Sequence, residues 1–431
     1  MAKIARLRAI ELVLGILALS LRVQNASAEP KVLCYYDGEA AIRKDALAGK
    51  VTLDDIGAAL PFCTHLLYGY AGIDPNTHRI RALNEDLDLD SGKGHFRLAT
   101  ELKNKFPGLK VFLSIGAYYD LNEENHSLKY LSLLESDATR ATFIESARTL
   151  LKTYKFDGLD LAWQLPQSNP KPFTDSIVDE NAAEHREGLT SLVRDMKKAF
   201  EEDDLGLGYT QTSHVNESIF LDIASLKDIV EYVSINAFDQ QIPQRNPDEA
   251  DYLTPLYEPP GRVKGNNVDA KVKAWSSAGT PLDKIIVGIP TYARGWKLVK
   301  ESDPSGRPPI RADGASSVRS HSTYTGYYSY GEVCGMLSNS SAGNLSPLRT
   351  VNDDSTKRFG PYAFRLPDEN GEQGIWLTYE DPESAGNKAA YVKEHGLGGI
   401  AVNDLVDDDF SGTCTGDKFP ITRAVKHRLA G

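Results

Sequence analysis

The stretch Phe156-Asp157-Gly158-Leu159-Asp160-Leu161-Ala162-Trp163-Gln164-Leu165-Pro166 holds the residue types most able to do chemistry. It reads as an apolar strand carrying two carboxylates and an amide. Side chains alternate along a strand with period two. Leu159, Leu161, Trp163 and Leu165 therefore share one face, and Asp160, Ala162 and Gln164 share the other. A polar row pointing inward near a strand end marks a candidate site for acid, base or charge-stabilising chemistry. Asp157 and Asp160 could instead cap or hydrogen-bond neighbouring loops. Gln164 has no titratable proton near neutral pH, so it cannot act as a general acid. The nine histidines are scattered, and neither CxxC nor HExxH occurs, so no metal and no cofactor is expected.

Such a row needs a frame. Eight apolar runs recur, at 31–36, 65–71, 110–115, 158–165, 205–212, 230–237, 285–292 and 398–405. Helical patterns at 94–105, 140–154 and 184–200 separate several of them. Buried parallel strands read as nearly continuous apolar runs, and parallel neighbours need crossovers that are usually helical. Eight such units predict an α/β fold, a closed (β/α)8 TIM barrel, with its site at the C-terminal ends of the strands. From 293 to 395 the spacing breaks. That stretch is rich in Gly, Pro, Ser and Tyr, including Tyr324, Tyr327, Tyr328 and Tyr330, and predicts a small α+β insertion between strands seven and eight. The expected organisation is barrel over 29–292 and 396–431, with the insertion at 293–395.

Composition narrows the function classes. The 431 residues are 41% apolar and 25% charged, ordinary globular usage that excludes a disordered chain, a coiled coil and a polytopic membrane protein. Sixty acidic against 48 basic side chains give a net charge of −12, which argues against a nucleic-acid partner. Lys3, Arg6 and Arg8 precede a mostly apolar stretch at 9–21, interrupted by Glu11. Ala26-Ser27-Ala28 then has the small-x-small pattern of a signal-peptidase site. A secretory leader over 1–28 is expected, too short in its apolar part to span a bilayer, and hence a secreted, extracellular chain without membrane insertion. A strongly acidic chain is expected to stay soluble as a monomer.

Four cysteines, Cys34, Cys63, Cys334 and Cys414, suit two disulfides in an oxidising compartment. They allow three pairings; the pair nearest in sequence is Cys34–Cys63, leaving Cys334–Cys414. Sequons at Asn125, Asn216, Asn339 and Asn344 are candidate glycan sites.

DGLDLAWQLP resembles the DGxDxDWEYP signature of family 18 chitinases. CTHLLYGYAGID, KVFLSIGA, INAFDQQ, VGIPTYARGW and GGIAVNDLVDDDFSG are similar to other ordered motifs of that family, across nearly the whole chain after the leader. In that family the last Glu of the signature is the general acid. The Asp two residues before it holds the substrate's N-acetyl group, whose own oxygen acts as nucleophile, an exception to the two-carboxylate scheme. The resemblance puts Gln164 at the acid position and Ala162 at the assisting one, after Asp157 and Asp160. Both requirements fail, which implies a barrel that is not an enzyme.

The resemblance also implies sugar-binding positions. Tyr36, Tyr118, Phe238, Asp239 and Arg294 survive as candidate saccharide contacts, while Asn403 stands where the family has a tryptophan floor. These residues could equally serve packing. The Ala/Gln pair is similar to the imaginal disc growth factors, insect secreted chitinase-like proteins. That likeness implies a non-catalytic extracellular growth factor, promoting proliferation and migration of imaginal disc cells through an unknown cell-surface receptor. It also makes Asn216 the best sequon. The alternative is a chitin- or glycan-binding lectin that takes chitooligosaccharides without hydrolysing them. The loop 167–181 is shorter and more acidic than the resemblance leads one to expect.

Overall fold

A computed structural model describes residues 29–43, 49–117, 119–120, 128–166, 179–213, 215, 217–317, 325–338, 347–351 and 355–431. The expected leader, Tyr118, most of the 167–181 loop and all four sequon asparagines lie outside these residues. Among the described residues no helix is long and apolar enough to cross a membrane.

Eight strands form the centre: β1 Lys31–Asp37, β2 His65–Ile73, β3 Lys110–Gly116, β4 Gly158–Ala162, β5 Gly206–Gln211, β6 Tyr232–Ile235, β7 Ile285–Pro290 and β8 Gly399–Asn403. All pair in parallel, and the β1–β8 and β1–β2 ladders close the sheet into a barrel. Period two sorts their side chains. Leu33, Tyr35, Leu67, Phe112, Tyr232, Ile286 and Ala401 pack together inside. Val32, Cys34, Tyr36, Leu66, Leu159, Leu161 and Trp163 face the surrounding helices. The helix Ala182–Glu201 shows why that outer layer forms. It buries His185, Leu189, Leu192, Val193, Met196 and Phe200 at helical spacing and leaves its charges outside. The helix Asp137–Tyr154 starts on Ser136, whose hydroxyl accepts the Thr139 N–H, and ends on left-handed Lys155.

Expected and observed strands agree in number and order and differ at their ends. β4 stops at Ala162 rather than 165, because beyond it the chain bonds to the loop after β3 instead of to β5. β7 stops at Pro290, which has no N–H to continue a ladder. Thr291 then donates to the Asn403 carbonyl, and Tyr292–Leu298 opens a second, antiparallel sheet. That sheet also holds Ile310–Ala315, Tyr327–Ser329, Arg349–Val351, Tyr362–Arg365 and Gly374–Thr378. It recruits Glu249–Ala250 from the connection before β7, which the sequence did not mark. Trp296, Leu298, Phe364 and Trp376 form its core. The helix Pro382–Glu394, expected in the insertion, packs instead against the C-terminal helix Pro420–Ala430 and β8, as the barrel's last crossover. Disulfides join Cys34 to Cys63 and Cys334 to Cys414.

Candidate functional site

The axis of the barrel carries a buried carboxyl. Asp160 on β4 is fully buried. It accepts hydrogen bonds from Ser114 on β3 (2.8 Å), Thr210 on β5 (2.8 Å), Tyr35 on β1 (2.9 Å) and Tyr232 on β6 (3.1 Å). Tyr232 reaches it across Gly208, where a Cβ would lie 2.1 Å from the tyrosine Cζ. Burial pushes the Asp160 carboxyl above its ordinary range, and its four hydroxyl donors pull it part of the way back. Asp160 therefore ties four strands together below the cavity. Asp157 lies at the other end of β4. It accepts from the Val111 N–H and pairs with Lys103 at 2.8 Å, a loop-capping role away from the strands' C-terminal ends.

Above Asp160, a cavity of about 290 Å³ opens at the C-terminal ends of the strands. Tyr35, Tyr70, Tyr119 and Ala162 line one side; Phe238, Asp239, Tyr292, Arg294 and Tyr327 line the other. Asn403, Asp404 and Asp407, on and after β8, complete it. Tyr70 and Tyr119 stack at 4.1 Å, and Tyr292 and Tyr327 at 4.7 Å. Arg294 holds Asp239 through two hydrogen bonds of 2.9 and 2.7 Å and lies over both the Tyr292 and Tyr327 rings. Tyr292 donates to the same carboxylate at 2.8 Å. Thr212 Oγ1, Asn236 Oδ1 and Asn403 Nδ2 are buried there without hydrogen-bond partners.

Of the residues singled out from the sequence, Ala162, Phe238, Asp239, Arg294 and Asn403 converge on this cavity. Tyr36 does not. It lies on the outward face of β1, packed on Tyr68 and donating to the Val51 carbonyl. Its neighbour Tyr35 has the inward parity and was the residue to choose. Gln164 is fully buried but is not part of the lining. Its Oε1 accepts from the Asp120 N–H (3.2 Å) and its Nε2 donates to the Asp120 carbonyl (3.4 Å). Both ends of the amide are thereby engaged by one peptide unit outside the cavity. Asp120 is itself held by the Ile73 N–H, Lys129 and Tyr130.

The β8 side is acidic. Tyr327 donates to Asp407, and Asp404 Oδ1 accepts from the Val406 and Asp407 N–H groups. Arg43, the nearest cation, pairs with Asp37 at 3.0 Å. Burial and mutual repulsion raise Asp404 well above the usual carboxylate range, and burial carries Asp407 to about 6. A carboxyl raised on folding stabilises the fold fully below its unfolded pKa, and that contribution is lost as pH rises through the folded value. Unfolding in urea at pH 4 and pH 7 is expected to show this as a decline to which Asp407 contributes about 2 kcal/mol. Asp407→Asn should remove that part of the decline; an unchanged pH profile would contradict the assignment.

A larger cleft of about 1080 Å³ opens on the flank, between the helices Ala182–Glu201 and Val268–Ser277. It is wide to solvent and carries Glu217 paired with Lys271, whereas the smaller axial cavity gathers the strand-end residues. Among the described residues no group of three or more His, Cys, Asp or Glu could hold a metal ion.

The pattern that describes "Glycosyl hydrolases family 18" matches residues 31–408. The chain belongs to that family. Within it, the chain is 56% identical to bacteria-responsive protein 1 of Aedes aegypti, over 96% of this chain and 98% of the other. It is 46% identical to chitinase-like protein Idgf4 of Drosophila melanogaster, over 94% and 96%. A group IV chitinase of Ostrinia furnacalis, solved in complex with allosamidin, superposes with a TM-score of 0.78 at 27% identity, covering 93% of this chain and 99% of that one. The expected likeness to family 18 and to insect chitinase-like proteins of the imaginal disc growth factor group is thus borne out.

Proposed function

We propose that this is a secreted chitinase-like protein of the imaginal disc growth factor type, acting outside the cell through a cell-surface receptor and hydrolysing no chitin. The reading rests chiefly on Ala162 and Gln164. A methyl group lines the cavity where the family's assisting carboxylate would sit, and an amide with no transferable proton stands at the acid position. Loss of general acid catalysis alone removes a factor of roughly 10²–10⁴. A leader ending at residue 28, glycosylation at Asn216 and a monomeric state belong to the same reading.

A second reading, a glycan-binding lectin, is favoured by the cavity itself, which keeps aromatic faces and unpartnered polar atoms. Its relative from Ostrinia furnacalis holds allosamidin. Calorimetry with chitooligosaccharides tests it: absence of heat at millimolar ligand would remove it.

The growth-factor reading is tested with protein secreted from a host lacking chitinases. It is expected to stimulate proliferation of imaginal disc cells and to release no sugar from chitin oligomers. The single variant Gln164→Glu should be equally silent, because its carboxyl would stay bound to the Asp120 peptide unit. Turnover by the unmodified protein would overturn the non-catalytic reading.

A further inference from the structure

The charge around the axial cavity is uneven. Asp239 is satisfied by Arg294 and Tyr292. Asp404 is not: it is 8% exposed, and only its Oδ1 accepts hydrogen bonds, from two backbone N–H groups. Its other oxygen has no donor and no cation among the described residues. Across from it stand the Tyr70–Tyr119 and Tyr292–Tyr327 pairs. A second observation points to a ligand independently. Thr212, 6% exposed, lines the same cavity with a buried hydroxyl that has no partner. Buried polar atoms are nearly always satisfied, so an orphaned hydroxyl on a cavity wall signals a group that fills the cavity.

Carboxylates and tyrosine faces converging on one space are the chemistry of cation recognition. A primary ammonium offers three donors and no acceptor, and it is drawn to aromatic faces within about 6 Å. A neutral acetamido group offers a single N–H and leaves the carboxylate at Asp404 uncompensated. At about 290 Å³ the cavity is at the small end of ligand sites, large enough for one compact polar unit. The ring hydroxyls of a pyranose match Thr212 Oγ1, Asn236 Oδ1 and Asn403 Nδ2, which a simple amine would leave unpaired.

We propose that this cavity binds an amino sugar carrying a free, protonated amine, a glucosamine unit of a deacetylated glycan, in preference to its N-acetylated counterpart. The amine sits against Asp404, with Asp407 adding charge from behind Tyr327. The inference rests on the reading of this cavity as a saccharide site without hydrolysis. It does not depend on growth-factor signalling, so loss of one leaves the other standing.

The test is calorimetry at pH 6, where the amine is charged, using the glucosamine tetramer, the N-acetylglucosamine tetramer and putrescine. The glucosamine tetramer should bind at least tenfold tighter than the acetylated one and tenfold tighter than putrescine. Asp404→Asn keeps the Oδ1 acceptor for the Val406 N–H and should weaken the glucosamine tetramer about tenfold without weakening the acetylated one. Equal or tighter binding of the acetylated tetramer, or no heat with either, overturns the proposal. Putrescine binding as tightly as the amino sugar overturns its saccharide part. Should the variant not fold, the comparison of ligands on the unmodified protein decides alone.

Discussion

Replacing Asp120 with alanine is expected to lower the free energy of unfolding by about 3–5 kcal/mol, measured as a shift of the urea midpoint at constant slope. Asp120 is fully buried and faces Lys129, whose side chain is only 2% exposed, at 2.5 Å. It also accepts from the Ile73 N–H (2.8 Å) and the Tyr130 hydroxyl (3.0 Å). Removing it leaves an ammonium in the interior with no counter-charge, and that desolvated charge accounts for most of the cost. The double variant Asp120→Ala with Lys129→Met should recover most of the loss, since the pair as a whole contributes far less than either orphan. A single-variant loss below about 1 kcal/mol would show that the ammonium finds water. The same substitution frees the peptide unit that grips Gln164, so this cluster links the position of the family's acid to the stability of the loop after β3.

The contrast between Asp160 and Gln164 shows how far period two carries a reading of sequence. Within β4 it holds: Asp160 points to the axis, while Trp163 packs edge-on to Tyr130 and Phe143 in the helix layer. Two residues past the strand's end the alternation no longer applies, and Gln164 follows the loop to Asp120. On β1 the rule was available, and it selects Tyr35 over Tyr36. The acidic Asp404 and Asp407 were legible only as part of a strand-like motif, because an acidic loop sequence ordinarily reads as solvated surface. Their burial arises from Tyr327, some eighty residues earlier, closing over them. Long-range convergence of that kind leaves no periodic trace. The same holds for Glu249–Ala250, whose two residues join the second sheet through pairing with Ile310 and Arg311.

The contact between Tyr327 and Asp407 depends on how the second sheet is fastened to β8, and there the covalent tether has its largest consequence. Cys334, in the helix Tyr330–Leu337, is bonded to Cys414, 80 residues away. Beside it, the Cys414 and Gly412 N–H groups donate to Asp409, and the Tyr330 N–H donates to the Asp407 carbonyl. In the chain-entropy account, opening a loop of that length lowers stability by about 4–5 kcal/mol, against about 3–4 for the 29-residue separation of Cys34 and Cys63. Replacing Cys334 and Cys414 with serine is therefore expected to shift the urea midpoint more than the same change at Cys34 and Cys63. It should also speed hydrogen exchange at the Val406 and Asp407 amides, which lie under the tether. A loss smaller than about 1 kcal/mol would mean that the buried aspartates and tyrosines hold this wall of the cavity without it. In that case Asp404 would keep its orientation, and ligand discrimination by the cavity would survive reduction of the protein.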